Sequence, residues 1–421
     1  MRFGSRLLHT PLRPFGHISK TSSASQSHVT RDALVTVQTE RRLASSYRGK
    51  YFFIDPELRN VAPSRFKDIQ SAAESDKFVD GDVVEAWDHV FCWNSNCVPM
   101  SKWREWRDEG DKLADAALPV IAGPAGNGGG TDLLARLEAA VKSEDPDPKV
   151  MAFWSALHAG PPQNLWPDDA QIMRGQAVFW RYAPQMLSAL LHYSLSAGFS
   201  SPKIARILNL ASYLVPPMQS SPEGEPPRMS KASVDRSFMR LLETTQWLMH
   251  CMTPGAMNVG GIGWASTVRV RLLHTSMRRR ILEKSRKEWE TTGHSLYNEK
   301  TDGIPISQED FMGTQCAFAC VPLFCLRKQG ITPTAQECED WTALWRVIGY
   351  YFGQLPTSAA FGRPGSHLAG IRQDLLVRHF GSWKKSKAIG ASSVAAMFAG
   401  ESDPPPHVCH CFHHQQYIQL I

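Results

Sequence analysis

The sequence predicts an all-α fold, packed helix on helix. Three observations point there. Apolar residues recur at helical spacing in one segment after another between about Arg174 and Gly353. No segment shows a convincing apolar–polar alternation of strand length. Proline and glycine interrupt the periodic segments at helix-sized intervals. The chain has 421 residues, 43% hydrophobic and 20% charged, enough for a sizeable core. Its 13 tryptophans suit a thick core or an apolar ligand cavity, because each indole buries a large area.

The elements follow in order. Residues 1–48 read as a leader or disordered arm. Residues 49–150 read as a helical extension with a Gly-rich linker. Within it, Asp82 is a candidate N-cap for one or two Trp-rich helices running to about Ala117. Gly123–Gly130 (GPAGNGGG) is a linker. It lacks the Gly-Lys-Ser/Thr ending of a phosphate loop. Thr131–Lys142 and Met151–His158 are short helices. Residues 151–400 form the main helical domain, best defined from Arg174 to Gly353. Asp168 or Asp169 caps Arg174–Leu195, which Pro184 should kink or split. Helices are then expected over Pro202–Leu214, Ser233–Met252, Ala265–Trp289, Ser307–Arg327 and Thr334–Gly353. Glu223–Pro227 and Asn298–Ile304 are turns. Leu368–Phe380 and Ser386–Gly400 look helical, and residues 401–421 read as a disordered tail.

Composition excludes several classes. A net charge of +6 is mild, and the Arg278–Arg280 run accompanies no nucleic-acid-binding signature. No nucleic-acid partner is expected. Nine cysteines make an odd count without a secretory signal, so a reducing, intracellular setting is the default. No run of 18 or more apolar residues appears, and no spanning helix is expected. The basic, hydroxyl-rich residues before Asp32 fit a mitochondrial leader or a tail of chance composition. Cytoplasmic or ER-membrane-associated placement is the alternative.

Two helices carry the candidate chemistry. On Thr267–Ile281 (TVRVRLLHTSMRRRI), Val270, His274, Met277 and Ile281 share a stripe. Arg271, Thr275 and Arg278 lie on the adjoining face. Spacing alone favours a core histidine bonded to a backbone carbonyl. The alternative is a metal or haem axial ligand, with nearby arginines pairing to haem propionates. One helix earlier, Arg240, Glu243, Thr244 and Trp247 share a face. That face is either solvated or, if buried, an Arg240–Glu243 pair with Thr244 aimed at a ligand.

Taken in order, several motifs carry a resemblance. They are Gln176-Ala-Val-Phe179, Ser194-Leu195, Arg240-x-x-x-Thr244, Val270-Arg271-Leu-Leu-His274-x-x-x-Arg278, Gly303-x-Pro305-Ile306-x-Gln308-x-Asp310 and Trp345-Arg346-Val347-Ile348-Gly349. From about Arg174 to Gly353 the chain resembles the family of the latex-clearing protein (rubber oxygenase) and the fungal MpaB-type endoplasmic-reticulum oxygenases. The resemblance implies a globin-like multi-helix bundle around a haem pocket. It implies haem b as cofactor, and O2 with a lipophilic, isoprenoid-type substrate whose C=C bond is cleaved or oxidised. His274 then stands at the proximal iron ligand, Arg271 and Arg278 at the cofactor, and Arg240, Glu243 and Thr244 on the distal side. Trp247 and Phe179 are candidate lining. Glu243 replaces a lysine of the rubber oxygenase and Thr275 replaces an alanine. MpaB-type proteins carry an N-terminal membrane span, which is not expected here.

Other signals read as structural. Cys316, Cys320 and Cys325 fall at core spacing, and Cys92 and Cys97 form no metal or redox motif. The His407–His414 cluster is metal-like in composition, but it is read as tail. The rival functions are a haem-free, lipid- or isoprenoid-binding member of the same fold, and a peripheral membrane contact through the arginine run.

Overall fold

A computed structural model describes residues 53–54, 58, 61–68, 72–86, 89–94, 97–123, 132–161, 167–195, 198, 201–211 and 231–355. All lie in the second of two units, Lys50–Ile421. The expected helices after Leu355, the His407–His414 cluster, most of the Gly123–Gly130 linker and the Glu223–Pro227 turn fall outside the described residues.

The N-terminal extension is not wholly helical. It opens with a four-stranded sheet, β1 (Phe53–Ile54), β2 (Lys67–Asp68), β3 (Val83–Ala86) and β4 (His89–Cys92), in the order β1-β4-β3-β2. β3 and β4 pair antiparallel, with Val84 opposite Phe91, and each takes a parallel outer strand. Strands of two to four residues are too short to show alternation, which is why the sequence reads as strandless there. Asp82 caps no helix. Its carboxylate accepts from Lys67 Nζ at 2.6 Å and from the Val79 amide at 3.1 Å, closing the turn before β3.

Helices follow as expected. They are α1 (Met100–Arg107), α2 (Lys112–Ala122), α3 (Leu133–Val141), α4 (Pro148–Ala159) and α5 (Asp169–Ala189). The Asp168 side chain caps α5 by accepting from the Gln171 amide at 2.6 Å. Pro184 breaks the α5 ladder as predicted, and Tyr182 leaves helical geometry (φ −119°, ψ 20°). α5 runs on into a π-helical turn, Leu190–Ser194. Then come α6 (Pro202–Ala211), α7 (Lys231–Met252), α8 (Ile262–Thr292), the short α9 (Glu299–Asp302), α10 (Gln308–Lys328) and α11 (Ala335–Phe352). Capping boxes start α10 (Ser307 with Asp310) and α11 (Thr334 with Glu337).

α5 packs against α11 and α10, and α8 packs against α7, α11, α2 and α3. The main core gathers apolar side chains from α1 to α5, α7, α8, α10 and α11, while Ile207 of α6 joins a smaller cluster with Ile281, Tyr297, Ile306 and Phe311. Cys316, Cys320 and Cys325 are buried in it. Among the described residues, no helix is long and apolar enough to cross a membrane.

Candidate functional site

The site is built on α8. Its most buried face carries Trp264, Thr267, Val268, Arg271, Leu272, Thr275 and Arg278. Two arginines can sit so deep because α2 brings two carboxylates to them. Arg271 donates bidentately to Asp111, at 2.6 and 2.9 Å, where both side chains are buried. About two turns on, Arg278 pairs with Asp115 and donates to the backbone carbonyl of Ile306 at 2.7 Å. Ile306 holds a left-handed φ of 54°, a strained state for a β-branched residue. That conformation aims its carbonyl at Arg278. Burial pushes the Asp115 carboxyl up, and Arg278 opposes that shift.

Gln308 ties the same region together. Its amide nitrogen donates to the carbonyls of Gly110 and Gly353, and its oxygen accepts from the Leu355 amide. The Gly303–Asp310 motif therefore locks α2, α8, α10 and α11 to one another. Arg271 and Arg278, expected to face cofactor carboxylates, are both occupied by protein carboxylates.

His274 lies on the flank of this face and is partly buried. Its ring centroid stands 5.0 Å from Phe352 and 6.0 Å from Phe311. Its Nδ1 is buried and has no hydrogen-bond partner among the described residues. The expected bond to a backbone carbonyl is not formed there. Loss of water, then the charges of Arg278 and Arg240, lower the imidazole pKa from 6.5 to about 4. His274 is therefore neutral at pH 7 and keeps an imidazole lone pair.

α7 lies alongside α8. Arg240 pairs with Glu243 on its surface, and the Thr244 hydroxyl donates to the Arg240 carbonyl at 3.0 Å. The first four turns of α7 are largely exposed, including Phe238 at 58% and Met239 at 54%. Arg240 is the one member of this predicted trio whose charge reaches His274.

Trp247, on the next turns of α7, is half-buried. It contacts Phe352 at 5.5 Å, Phe318 at 5.7 Å and Trp345 at 6.2 Å, and donates to Thr267 Oγ1. Phe179 sits elsewhere, fully buried and stacked on Trp341. Phe311 and Phe352, the aromatic neighbours of His274, were not singled out by sequence. Their positions at helical spacing after Ser307 and Thr334 gave only a core signal.

Among the described residues, no group of three or more His, Cys, Asp or Glu is gathered. A prosthetic group that needs one neutral nitrogen from the protein would fit at His274, whose Nδ1 has no partner among the described residues and whose ring is neutral.

No curated protein matches the chain. Among solved structures, latex clearing protein LCP in the closed state is similar at 16% identity, covering 69% of each chain with a TM-score of 0.47. Residues 180–364 match the family model described as ER-bound oxygenase mpaB/B'/Rubber oxygenase, catalytic domain. That stretch is less than half of the chain and holds α7, α8, α10, α11 and His274.

Proposed function

We propose that the protein is a haem-dependent oxygenase, with His274 as the axial ligand of a b-type haem and an unsaturated, isoprenoid-type chain as substrate. The observation that carries this is the state of His274. A neutral imidazole with an orphaned ring nitrogen is costly inside a protein unless something else occupies it. When bound, the haem supplies the iron-based oxygen chemistry that side chains lack.

The chain's own residues supply the rest. Phe311 and Phe352 flank the His274 ring and keep water from it. Arg240 brings a positive charge whose field reaches His274 and would favour an anionic group bound nearby. Glu243 balances Arg240 in an exposed pair, and Thr244 follows on the next residue. The exposed apolar residues of α7, Val234, Phe238, Met239 and Leu242, suit contact with a lipophilic chain.

One observation favours a second reading. Arg271 and Arg278 are already paired and need no cofactor carboxylate, as a haem-free, isoprenoid-binding member of the family would have it. An absorption spectrum of protein expressed with haem precursor, reduced and exposed to carbon monoxide, separates the two. A Soret band that is lost or shifted in a folded His274→Ala variant is the expected result. No band, or a band indifferent to that substitution, overturns the haem reading and leaves the haem-free one.

A further inference from the structure

Tryptophans are not spread evenly through this core. A continuous line of rings leads away from His274. Phe352 lies 5.0 Å from His274 and 5.5 Å from Trp247, centroid to centroid. Trp247 is 6.2 Å from Trp345, and Trp345 is 5.6 Å from Trp341. Trp341 stacks on Phe179 at 6.3 Å, and Phe179 meets Trp180 at 5.3 Å. Trp180 ends the line at the surface, 49% exposed.

We propose that Trp247, Trp345, Trp341 and Trp180 form an electron relay that carries stray oxidising equivalents from the His274 site to the surface. The proposal rests on His274 being the ligand of an oxidising haem. Indole is among the most readily oxidised side chains, and these rings are close to van der Waals contact, so each hop is short. Phe352 and Phe179 are too hard to oxidise to be stations and act as bridges.

The hydrogen bonds set the direction. An oxidised indole is trapped when its Nε1 proton leaves to a base. Trp345 Nε1 is buried and has no hydrogen-bond partner among the described residues. Trp341 donates to the Ala319 carbonyl and Trp247 to the Thr267 hydroxyl, neither of which is a base. The interior stations keep their protons and pass the vacancy on. Trp180 donates to the Met252 carbonyl, but its exposed ring lies where water can take the proton.

The balance is simple for a hydroperoxide as oxidant. It accepts two electrons and two protons and becomes an alcohol and water. The relay delivers the electrons one at a time, and each pass leaves Trp180 as a neutral radical after its proton is lost. Two passes complete the reduction. A one-electron donor in solution, such as ascorbate, restores Trp180, and without one Trp180 is oxidised permanently.

The test uses the haem-loaded full chain, first checked for its Soret band, then mixed with a hydroperoxide and a nitroso spin trap without reductant. Peptide mapping locates the adduct. The expected adduct is on Trp180, with little on Trp289, which is similarly exposed at 43% but has no ring contact with the relay among the described residues. Trp341→Phe keeps an aromatic filling and should lose most of the Trp180 adduct. Trp180→Phe, a surface change, should move the adduct inward to Trp341 or Trp345 and hasten haem bleaching. A Soret band with equal labelling of Trp180 and Trp289, or labelling unmoved by Trp341→Phe, overturns the relay and spares the site. Absence of the Soret band overturns both.

Discussion

The two flanks of α8 contrast. On one, Arg271 and Arg278 are buried against Asp111, Asp115 and the Ile306 carbonyl, with their charges matched. On the other, His274 keeps a buried nitrogen without a partner, between two phenylalanines and near the charge of Arg240. Buried polar groups that are fully paired fix a fold, whereas an unpaired one in an otherwise satisfied core marks a place for something else. The arginine side is framework, and the histidine side is where we propose that a ligand belongs.

The contrast breaks most visibly at Asp111. Asp111→Ala leaves the Arg271 guanidinium buried without its carboxylate, and loss of one partner of such a pair costs about 3–5 kcal/mol. Urea unfolding should show that loss. The double variant Asp111→Leu with Arg271→Leu should recover much of it, since no charge is left stranded. A cost near zero for Asp111→Ala means that Arg271 is not framework and is free for a cofactor carboxylate after all.

His274 gives the next largest effect, in the haem-free protein. Its folded pKa is about 4 against 6.5 for the free side chain, so between those values the unfolded chain binds the extra proton. Stability is then full above pH 6.5 and falls as pH drops toward 4. At about 1.4 kcal/mol per unit of pKa difference, the loss is roughly 3 kcal/mol. Denaturant titrations across pH 4–7 should show this slope, and His274→Phe should flatten it. An unchanged slope in the variant means that another group carries the pH dependence.

Gly353 tests the framework from its backbone. It ends α11 with φ +97°, and a Cβ there would stand 2.3 Å from Asp111 Oδ2 and 2.8 Å from Arg271 Nε. Gly353→Ala should cost about 1–3 kcal/mol from backbone strain alone, plus whatever the ion pair loses by shifting. Thermal unfolding reads this. A neutral substitution means that the Arg271–Asp111 pair is not closely packed against the chain.

Much of this was legible in sequence, and the exceptions have physical reasons. Helices such as α8, α10 and α11 are long, periodic and capped by Ser307 and Thr334, so pattern and capping chemistry agree. The sheet was missed because β1 and β2 are two residues each. His274 was read on a core-facing stripe with Val270 and Met277, whereas the adjoining face with Arg271, Thr275 and Arg278 is the more buried one, and no pattern shows that the His274 Nδ1 lacks a partner. The arginines misled most, because Asp111 and Asp115 lie some 160 residues away in the chain, and one sequence carries no sign of that pairing. Trp180 was not singled out in sequence, because its place at the end of a line of rings depends on α5 meeting α11.

The smallest expected change in stability is at the Arg240–Glu243 pair, and that smallness makes it useful. Both side chains are more than a third exposed, and exposed pairs contribute about 0–1 kcal/mol. Glu243→Gln should therefore leave unfolding nearly untouched. It also removes the partner that holds the Arg240 guanidinium, whose charge already reaches His274. In haem-loaded protein, the variant should shift the affinity for a small anionic iron ligand such as cyanide, read by spectral titration, while the melting curve stays in place. A change in ligand affinity without a change in stability puts α7 on the functional side of the contrast. A change in stability without one makes Arg240–Glu243 framework, like the arginine pairs across α8.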